Sequence, residues 1–419
     1  SRGLGDVYKR QEFTREEILS MLAKEMLDAA EQLPASQPEV GRIHKYIALA
    51  YAAKIKLYQA YQQDEITHAV TSINKELLRE VVSLCDQVTA SNRYGLLDDF
   101  QGLDLVTNEN GKESVFAIQY SMNDGTESAG RINWSNLLNS PGGGSPYGGD
   151  GFFLPSQDLI NAYQTDANGL PDFNYQSKSD YSWAVLNNGV YTLQNTTPNV
   201  DPRLDFVVGR PTITWKTYPD KPCEGWVRDK DTYGYNCAKR FWVSPESSDM
   251  FNGWPWGASQ LNWQIIRYAD ILLWKAEALI ELNEGNGLET ARDLINQIRN
   301  RARNSAYVKD FNDHSKYAAN YLVNPYPADV WNQDYARQAL RWETRLEKAL
   351  EGERFFDLVR WGIVETTMNK YITAESDNRI YYANAHFTGG KDEYYPVPNN
   401  QYGFSGGKYV QNPGYAPFN

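Results

Sequence analysis

The chain has 419 residues and a formal net charge of −12, from 53 acidic and 41 basic side chains. Because no run of lysine and arginine offsets this charge, the surface repels phosphate backbones, which argues against nucleic acid as a partner. No apolar run reaches the ~20 residues that cross a bilayer, and no HExxH or CxxC pattern indicates zinc. We therefore expect neither a metal nor a cofactor.

The N-terminal part of the chain, 13–90, predicts helices. Residues 1–12 carry no periodic pattern, and we interpret them as a junction segment outside the fold. Thr14 and Glu17 form a capping-box pattern ahead of the first helix. Apolar residues at three- and four-residue steps predict two more helices, at 46–61 and 74–90.

The middle part, 91–260, differs in kind because glycine, proline, asparagine and aromatic residues replace the helical period. We predict a strand at 113–121 and one short helix at 156–165. Cys223 and Cys237 could pair across a loop, but their spacing does not decide whether they do. An irregular segment of this length within a compact protein is expected to carry function.

The C-terminal part, 261–419, begins with the most regular pattern in the chain. Over 261–304 apolar residues recur at helical spacing, and a glycine-containing break separates two such runs. A short turn makes the two helices antiparallel, as in the αα-hairpin of tetratricopeptide-type units. Further helices are predicted at 327–331, 335–350 and 354–361, followed by an extended strap fixed by prolines. The predicted fold is mainly α: tetratricopeptide-like αα-hairpins form a helical scaffold, with 91–260 as a large loop-rich insertion containing short β-strands.

Patterns that would indicate an enzyme are missing from the sequence. No GxSxG elbow, P-loop or GxGxxG is present, and no stretch suggests two carboxylates facing each other across a sugar cleft. Arg354, Asp357 and Arg360 share one helix face, which favours an ion-pair ladder over catalysis. The stretch 166–172 resembles a calcium loop only loosely, and a turn whose side chains bond their own backbone is favoured.

The aromatic content, 13% of the residues, is the most informative feature of the composition. Two interpretations are open: the rings pack loops against the scaffold, or they display flat faces that stack on sugars. A proline between them and a glycine before them hold Trp254 and Trp256 in a rigid turn, which makes these two the first binding candidates. Trp215 and Trp242 favour the core. The other candidate binding residues, including polar ones that could bond sugar hydroxyls, are Trp134, Tyr147, Trp226, Arg228, Asp229 and Asn252.

Short motifs stand in a fixed order along the C-terminal part. They are IRYAD at 266–270, AEA at 276–278, IRNRA at 298–302, EGERFFDLVRWG at 351–362, YYPVP at 394–398 and QNPGY at 411–415. Their order and spacing resemble those of the SusD/RagB family, the cell-surface glycan-binding lipoproteins of Bacteroidetes. The resemblance extends over nearly the whole chain, from about residue 16 to 415.

The resemblance implies a glycan-binding protein on the outer membrane that is not an enzyme. Such a protein captures nutrient oligosaccharides on its loop side and delivers them to a SusC-like TonB-dependent transporter. The resemblance also implies that this chain is N-terminally truncated, because family members carry an upstream block with the lipid-anchored cysteine. Two other functions stay open: a tetratricopeptide-type scaffold that binds protein or peptide, and a glycan-active enzyme.

Overall fold

The computed structural model describes residues 13–418 except 127–129, 135–144, 146–150, 183, 188–189, 194–197, 217–225, 228, 230–231, 233, 235, 245 and 252–256. The described elements, in chain order, are α1 (Arg15–Gln32), α2 (Lys45–Ala60), β1 (Tyr61–Gln63), β2 (Val70–Ile73), α3 (Lys75–Ala90), β3 (Ser114–Ile118), α4 (Gln157–Ala162), β4 (Gln164–Thr165), β5 (Ala184–Asn187), β6 (Val190–Leu193), β7 (Asn199–Val200), α5 (Arg203–Val207), β8 (Val208–Gly209), β9 (Cys237–Ala238), β10 (Trp263–Arg267), α6 (Tyr268–Leu282), α7 (Gly287–Asn304), α8 (Gln333–Glu347), α9 (Arg354–Arg360), α10 (Val364–Glu375) and α11 (Asn399–Phe404).

The long helices form the predicted scaffold of antiparallel hairpins. Helix α1 packs on α2, α2 on α3, α3 on α6, and α6 on α7, while α8 packs on both α6 and α7. Small residues permit this close packing: Ala50, Ala53 and Ala60 of α2 are fully buried. The predictions of a mainly α fold and of tetratricopeptide-like hairpins are confirmed.

Local sequence signals fix where several helices begin. The Thr14 side chain accepts the N–H of Glu17, and the Glu17 carboxylate accepts the N–H of Thr14 at 2.8 Å, which completes the predicted capping box. Asn74 Oδ1 accepts two N–H groups at the start of α3, and Ser156 Oγ accepts the Leu159 N–H at the start of α4.

Two sequence predictions about the C-terminal part are wrong. Residues 263–267, at the start of the stretch predicted as helical, form strand β10, which pairs antiparallel with the predicted strand β3 so that Trp263 lies opposite Ile118. Short apolar runs such as Ile265-Ile266 fit both the helical and the strand period, and pairing with β3 selects the strand. Residues 327–331 form a turn instead of a helix, and α10 was not predicted.

The middle part adds paired strands and a second hydrophobic cluster. Besides β3–β10, its described strands pair antiparallel as β4–β7, β5–β6 and β8–β9, while β1–β2 is an antiparallel pair in the N-terminal part. Tyr163, Leu204 and Phe206 are among the buried residues of a hydrophobic cluster distinct from those of the helical hairpins. The same cluster includes Val308, Leu346 and Ala349 of the C-terminal part, so the loop-rich part shares this core with the scaffold.

A buried ion network joins the middle part to the scaffold. Glu343, Glu347 and Glu351 are spaced by four residues along α8 and the turn after it, so they line one side. Arg203 of the middle part reaches Glu343 Oε1 at 2.6 Å, and Arg267 reaches Glu351 Oε1 at 2.7 Å. The further members of the network are Asp104, Glu113, Asp201, Arg240, Arg299 and Arg301. Arginines of the IRYAD and IRNRA motifs and the first glutamate of EGERFFDLVRWG therefore take part in the ion pairs that join the middle part to the helical scaffold.

Candidate functional site

The candidate site is built on Ser259, where three stretches of the middle part meet. Asn133 and Met250 each form an antiparallel bridge with Ser259. The Asn133 N–H donates to the Ser259 carbonyl at 2.7 Å, and the Asn133 side-chain amide donates to the Leu261 carbonyl at 2.9 Å. We call residues 133, 249–251 and 258–260 the Ser259 ladder.

Two further backbone bonds complete the Ser259 ladder. The Phe251 N–H donates to the Ala258 carbonyl at 2.9 Å, and the Gln260 N–H donates to the Asp249 carbonyl at 3.0 Å. Phe251 precedes the undescribed residues 252–256 in the sequence, and Ala258 follows them after Gly257. Trp134 directly follows Asn133 of the ladder.

Among the residues of the middle part that the structure describes, two aromatic side chains are open to solvent. Trp134 is 42% exposed and Phe152 is 73% exposed, while Asn133, next to Trp134, is buried. An exposed ring on a fixed backbone is the arrangement that sugar stacking requires, since little freedom is lost on binding. Phe152 was not among the predicted site residues. The glycines around it in GDGFF could have suggested an exposed turn.

Trp226 does not belong to this exposed surface, so its prediction as a ligand-facing ring is wrong. It is fully buried and makes an edge-to-face contact with Trp215, with ring centroids 5.1 Å apart. Trp242 and Cys237 complete the cluster, and Trp215 and Trp242 are core residues as predicted. These rings come from different loops and cover one another's apolar surface, which favours their position in the protein interior.

This tryptophan cluster forms the floor under the candidate site. Met250 of the Ser259 ladder and Leu154, two residues after Phe152, both pack against it. Gly209 makes the packing possible, because a Cβ there would lie 2.3 Å from Trp215 Cζ3. The buried rings thus position the exposed ones, although they cannot contact a ligand themselves.

A half-buried carboxylate lies beside the ladder. Glu109 Oε1 accepts the Asn262 N–H at 2.6 Å, and Asn262 Oδ1 accepts the Tyr120 N–H at 2.7 Å. Burial raises the pKa of Glu109 to about 7, which the hydrogen bond from Asn262 only partly opposes. This region should therefore be sensitive to pH in the neutral range.

The remaining predicted residues have separate outcomes. Asp229 is exposed and accepts the Thr232 N–H at 3.1 Å, which places it in a turn. Tyr147, Arg228, Asn252, Trp254 and Trp256 lie outside the described residues, as does Cys223 of the possible cysteine pair. Their predicted roles remain predictions.

The Asp166 turn bonds its own backbone, as predicted. Asp166 Oδ1 accepts the N–H groups of Asn168 and Leu170 at 2.8 and 2.9 Å, so this oxygen is already engaged. Within the part of the chain that the structure describes, no group of three or more His, Cys, Asp or Glu side chains could hold a metal ion. Among the same residues no helix is both long and apolar enough to cross a membrane.

Comparison with known proteins gives a family and a fold. A model of the SusD family matches residues 112–415. No curated protein is significantly similar in sequence. A SusD-like protein from Bacteroides fragilis has 23% identity and a TM-score of 0.55, over 84% of this chain and 62% of that chain.

Two structures from Bacteroides thetaiotaomicron are also similar. A SusD homolog has 18% identity and a TM-score of 0.63, over 96% of this chain and 70% of that one. Surface glycan-binding protein A, solved with laminarihexaose, has 17% identity and a TM-score of 0.60, over 96% and 71% of the two chains. At these identities the similarity establishes the fold, and this chain spans about two thirds of the length of such structures.

Proposed function

Because the chain belongs to the SusD family, we propose that it binds glycans through the aromatic surface carried by the Ser259 ladder. The observation that supports this most directly is the solvent-open Trp134, which directly follows Asn133 of the Ser259 ladder; Phe251 and Ala258 of the same ladder flank 252–256 in the sequence. Trp254 and Trp256 would supply further stacking faces, and Asn252, Arg228 and Asp229 would bond the hydroxyl rim.

The protein acts by capture, without cleaving the glycan, on the outer face of the outer membrane. It delivers the bound oligosaccharide to a SusC-like TonB-dependent transporter, and a lipid on the N-terminus of the full-length protein anchors it. The family and the glycan complex of a structural neighbour support this proposal. A helical scaffold alone would suit peptide binding as well, but exposed rings on a rigid ladder favour a sugar.

Affinity electrophoresis on a panel of glycans that includes laminarin tests the binding step. We expect retardation by at least one glycan, and Trp134→Ala, Trp254→Ala and Trp256→Ala should each weaken binding by about tenfold. Tyr395→Ala is the matched control, because this ring is 92% exposed on the C-terminal strap and is not part of the Ser259 ladder.

Other outcomes would contradict the proposal. Equal loss in the Tyr395→Ala control, or no loss in any of the three tryptophan variants, would remove the aromatic surface as the binding site. Release of reducing ends from a retained glycan would show an enzyme. Co-purification with the TonB-dependent transporter from detergent-solubilised membranes tests delivery, and its absence would contradict that step alone.

A further inference from the structure

A cavity of about 550 Å³ lies between the α4 region and helices α8, α9 and α10. Its lining is basic in a protein whose net charge is −12. The charged lining residues are six basic ones, Arg337, Arg341, Arg345, Lys348, Arg354 and Lys370, and two acidic ones, Asp158 and Asp334. Such an excess of positive charge in one concave site favours an anionic ligand.

Two of the arginines in the cavity form no direct ion pair with a described carboxylate. Their nearby carboxylates are Glu277 and Glu281 for Arg341, and Asp357 and Asp158 for Arg354. Three of the other basic residues are neutralised, in the pairs Arg337–Glu281, Arg345–Asp158 and Lys348–Asp270. Neither Arg341 nor Arg354 forms an ion pair with any residue that the structure describes. The predicted ladder on α9 forms only in part, because Asp357 pairs with Arg360 at 2.9 Å and leaves Arg354 out.

Both arginines lie close to one aromatic ring, Trp361, which Arg360 also contacts. Their guanidinium carbons are 5.3 Å (Arg341) and 5.8 Å (Arg354) from the centroid of Trp361, and Arg354 Nη1 donates to the Arg341 carbonyl at 3.4 Å. A guanidinium over an indole face keeps its in-plane N–H groups available for a bidentate oxyanion. Burial, together with the charge of Arg345, lowers the pKa of Arg354 to about 9. A bound anion would offset the cost of burying the charged Arg354 side chain.

The lining of the cavity also contains a group of aromatic rings. The Phe173 and Tyr175 rings contact Trp342 edge-to-face, with centroids 5.2 and 5.4 Å from the Trp342 ring. All three residues line the cavity, and its volume lies within the range of small-ligand pockets. The cavity therefore offers an apolar wall for a sugar ring and guanidinium groups for a negative charge.

We propose that this cavity binds an acidic sugar, with Arg341 and Arg354 holding its carboxylate or sulfate group and Trp342 contacting its ring. The site is separate from the Ser259 ladder and goes beyond the proposed function. The need for an oxyanion follows from the two unpaired arginines. The choice of a sugar to carry it rests on the proposed function.

Isothermal titration of the whole chain with D-galacturonate, galactose and sodium sulfate at low salt tests the proposal. We expect galacturonate to bind at least tenfold more tightly than galactose, because charge-assisted hydrogen bonds are lost with the neutral sugar. Sulfate should compete with galacturonate but bind more weakly, since it lacks a ring. Arg341→Gln and Arg354→Gln should each weaken galacturonate binding about tenfold or more.

Arg303→Gln is the matched control, since Arg303 is an exposed arginine near the end of α7 that does not line the cavity. The wild-type comparison of galacturonate with galactose needs no variant, so it stands even if a substitution prevents folding. Equal affinity for the two sugars, or equal loss in Arg303→Gln, overturns the proposal. If sulfate binds as tightly as galacturonate, the sugar ring contributes nothing to binding. The acidic-sugar proposal is then overturned, and the cavity is a site for an inorganic oxyanion.

The two binding proposals can fail separately. If the tryptophan variants lose neutral-glycan retardation but still bind galacturonate, the result supports the binding surface at the Ser259 ladder and a separate site in the cavity. If Arg341→Gln weakens neutral-glycan binding as much as galacturonate binding, the cavity is not a separate acidic-sugar site, and the proposal is overturned.

Discussion

Replacing Glu347 by glutamine removes the central charge of the buried ion network while keeping the shape of the side chain. Glu347 is fully buried, and its Oε1 lies 2.9 Å from Arg267 Nη1 while its Oε2 lies 3.2 Å from Arg203 Nη1. Arg301 also pairs with it. In Glu347→Gln these three arginines lose a shared negative partner, and the interior gains uncompensated positive charge.

The structure gives the size of the expected effect. Burial alone would raise the pKa of Glu347, but Arg301, Arg267 and Arg203 outweigh burial and lower it from 4.5 to about 2. At about 1.4 kcal/mol for each pKa unit, the ionised form contributes about 3 kcal/mol to the free energy of unfolding. Breaking a buried ion pair costs about 3–5 kcal/mol, which agrees. Because the folded pKa is the lower one, this contribution is complete above 4.5 and is lost as the pH falls towards 2.

Urea unfolding at pH 7, followed by tryptophan fluorescence, measures this change. Glu347→Gln should lose about 3 kcal/mol. Glu284→Gln is the matched control, because Glu284 forms an exposed ion pair with Arg79, 2.7 Å between Oε1 and Nη2, and it should be indistinguishable from wild type. A loss in Glu347→Gln no larger than in the control would refute the reasoning.

Two further predictions concern the floor and the side of the candidate site. Gly209→Ala should destabilise the fold by about 1–3 kcal/mol, because the new Cβ would overlap the Trp215 ring; thermal unfolding checks this against Gly403→Ala, whose Cβ would meet no atom within 4 Å. Burial raises the pKa of Glu109 to about 7. The contribution of Glu109 to the free energy of unfolding is therefore most favourable when its carboxyl group is protonated, and this contribution decreases as the pH rises from 4.5 to about 7. Glu109→Gln should therefore gain about 1–2 kcal/mol at pH 8 and less at pH 5 in urea unfolding; an equal gain at both pH values would contradict this.

The helices could be predicted because their signals are local. Thr14 with Glu17, Asn74 and Ser156 each mark the first turn of a helix within a few residues, and each side chain bonds the backbone as the pattern predicts. The helical period in α6 and α7 likewise depends only on neighbours three and four positions away. Such features need no knowledge of the rest of the chain.

The errors arise where distant partners decide. Residues 263–267 become a strand because β3 is available to pair with them. Trp226 is buried because Trp215 and Trp242 provide matching faces. The bridge between Asn133 and Ser259 could not be predicted for the same reason, since these two positions are far apart in the sequence and carry no shared pattern.

The arginine–glutamate network also bears on how the molecule loses its structure. Its charges come from stretches between Asp104 and Glu351. Four of its acids pair with arginines from more than one stretch: Glu113, Glu343, Glu347 and Glu351. Detaching any one stretch would strand a charge in a nonpolar interior. We therefore expect a single cooperative transition, in which the middle part and the helical hairpins melt together and no half-open intermediate accumulates.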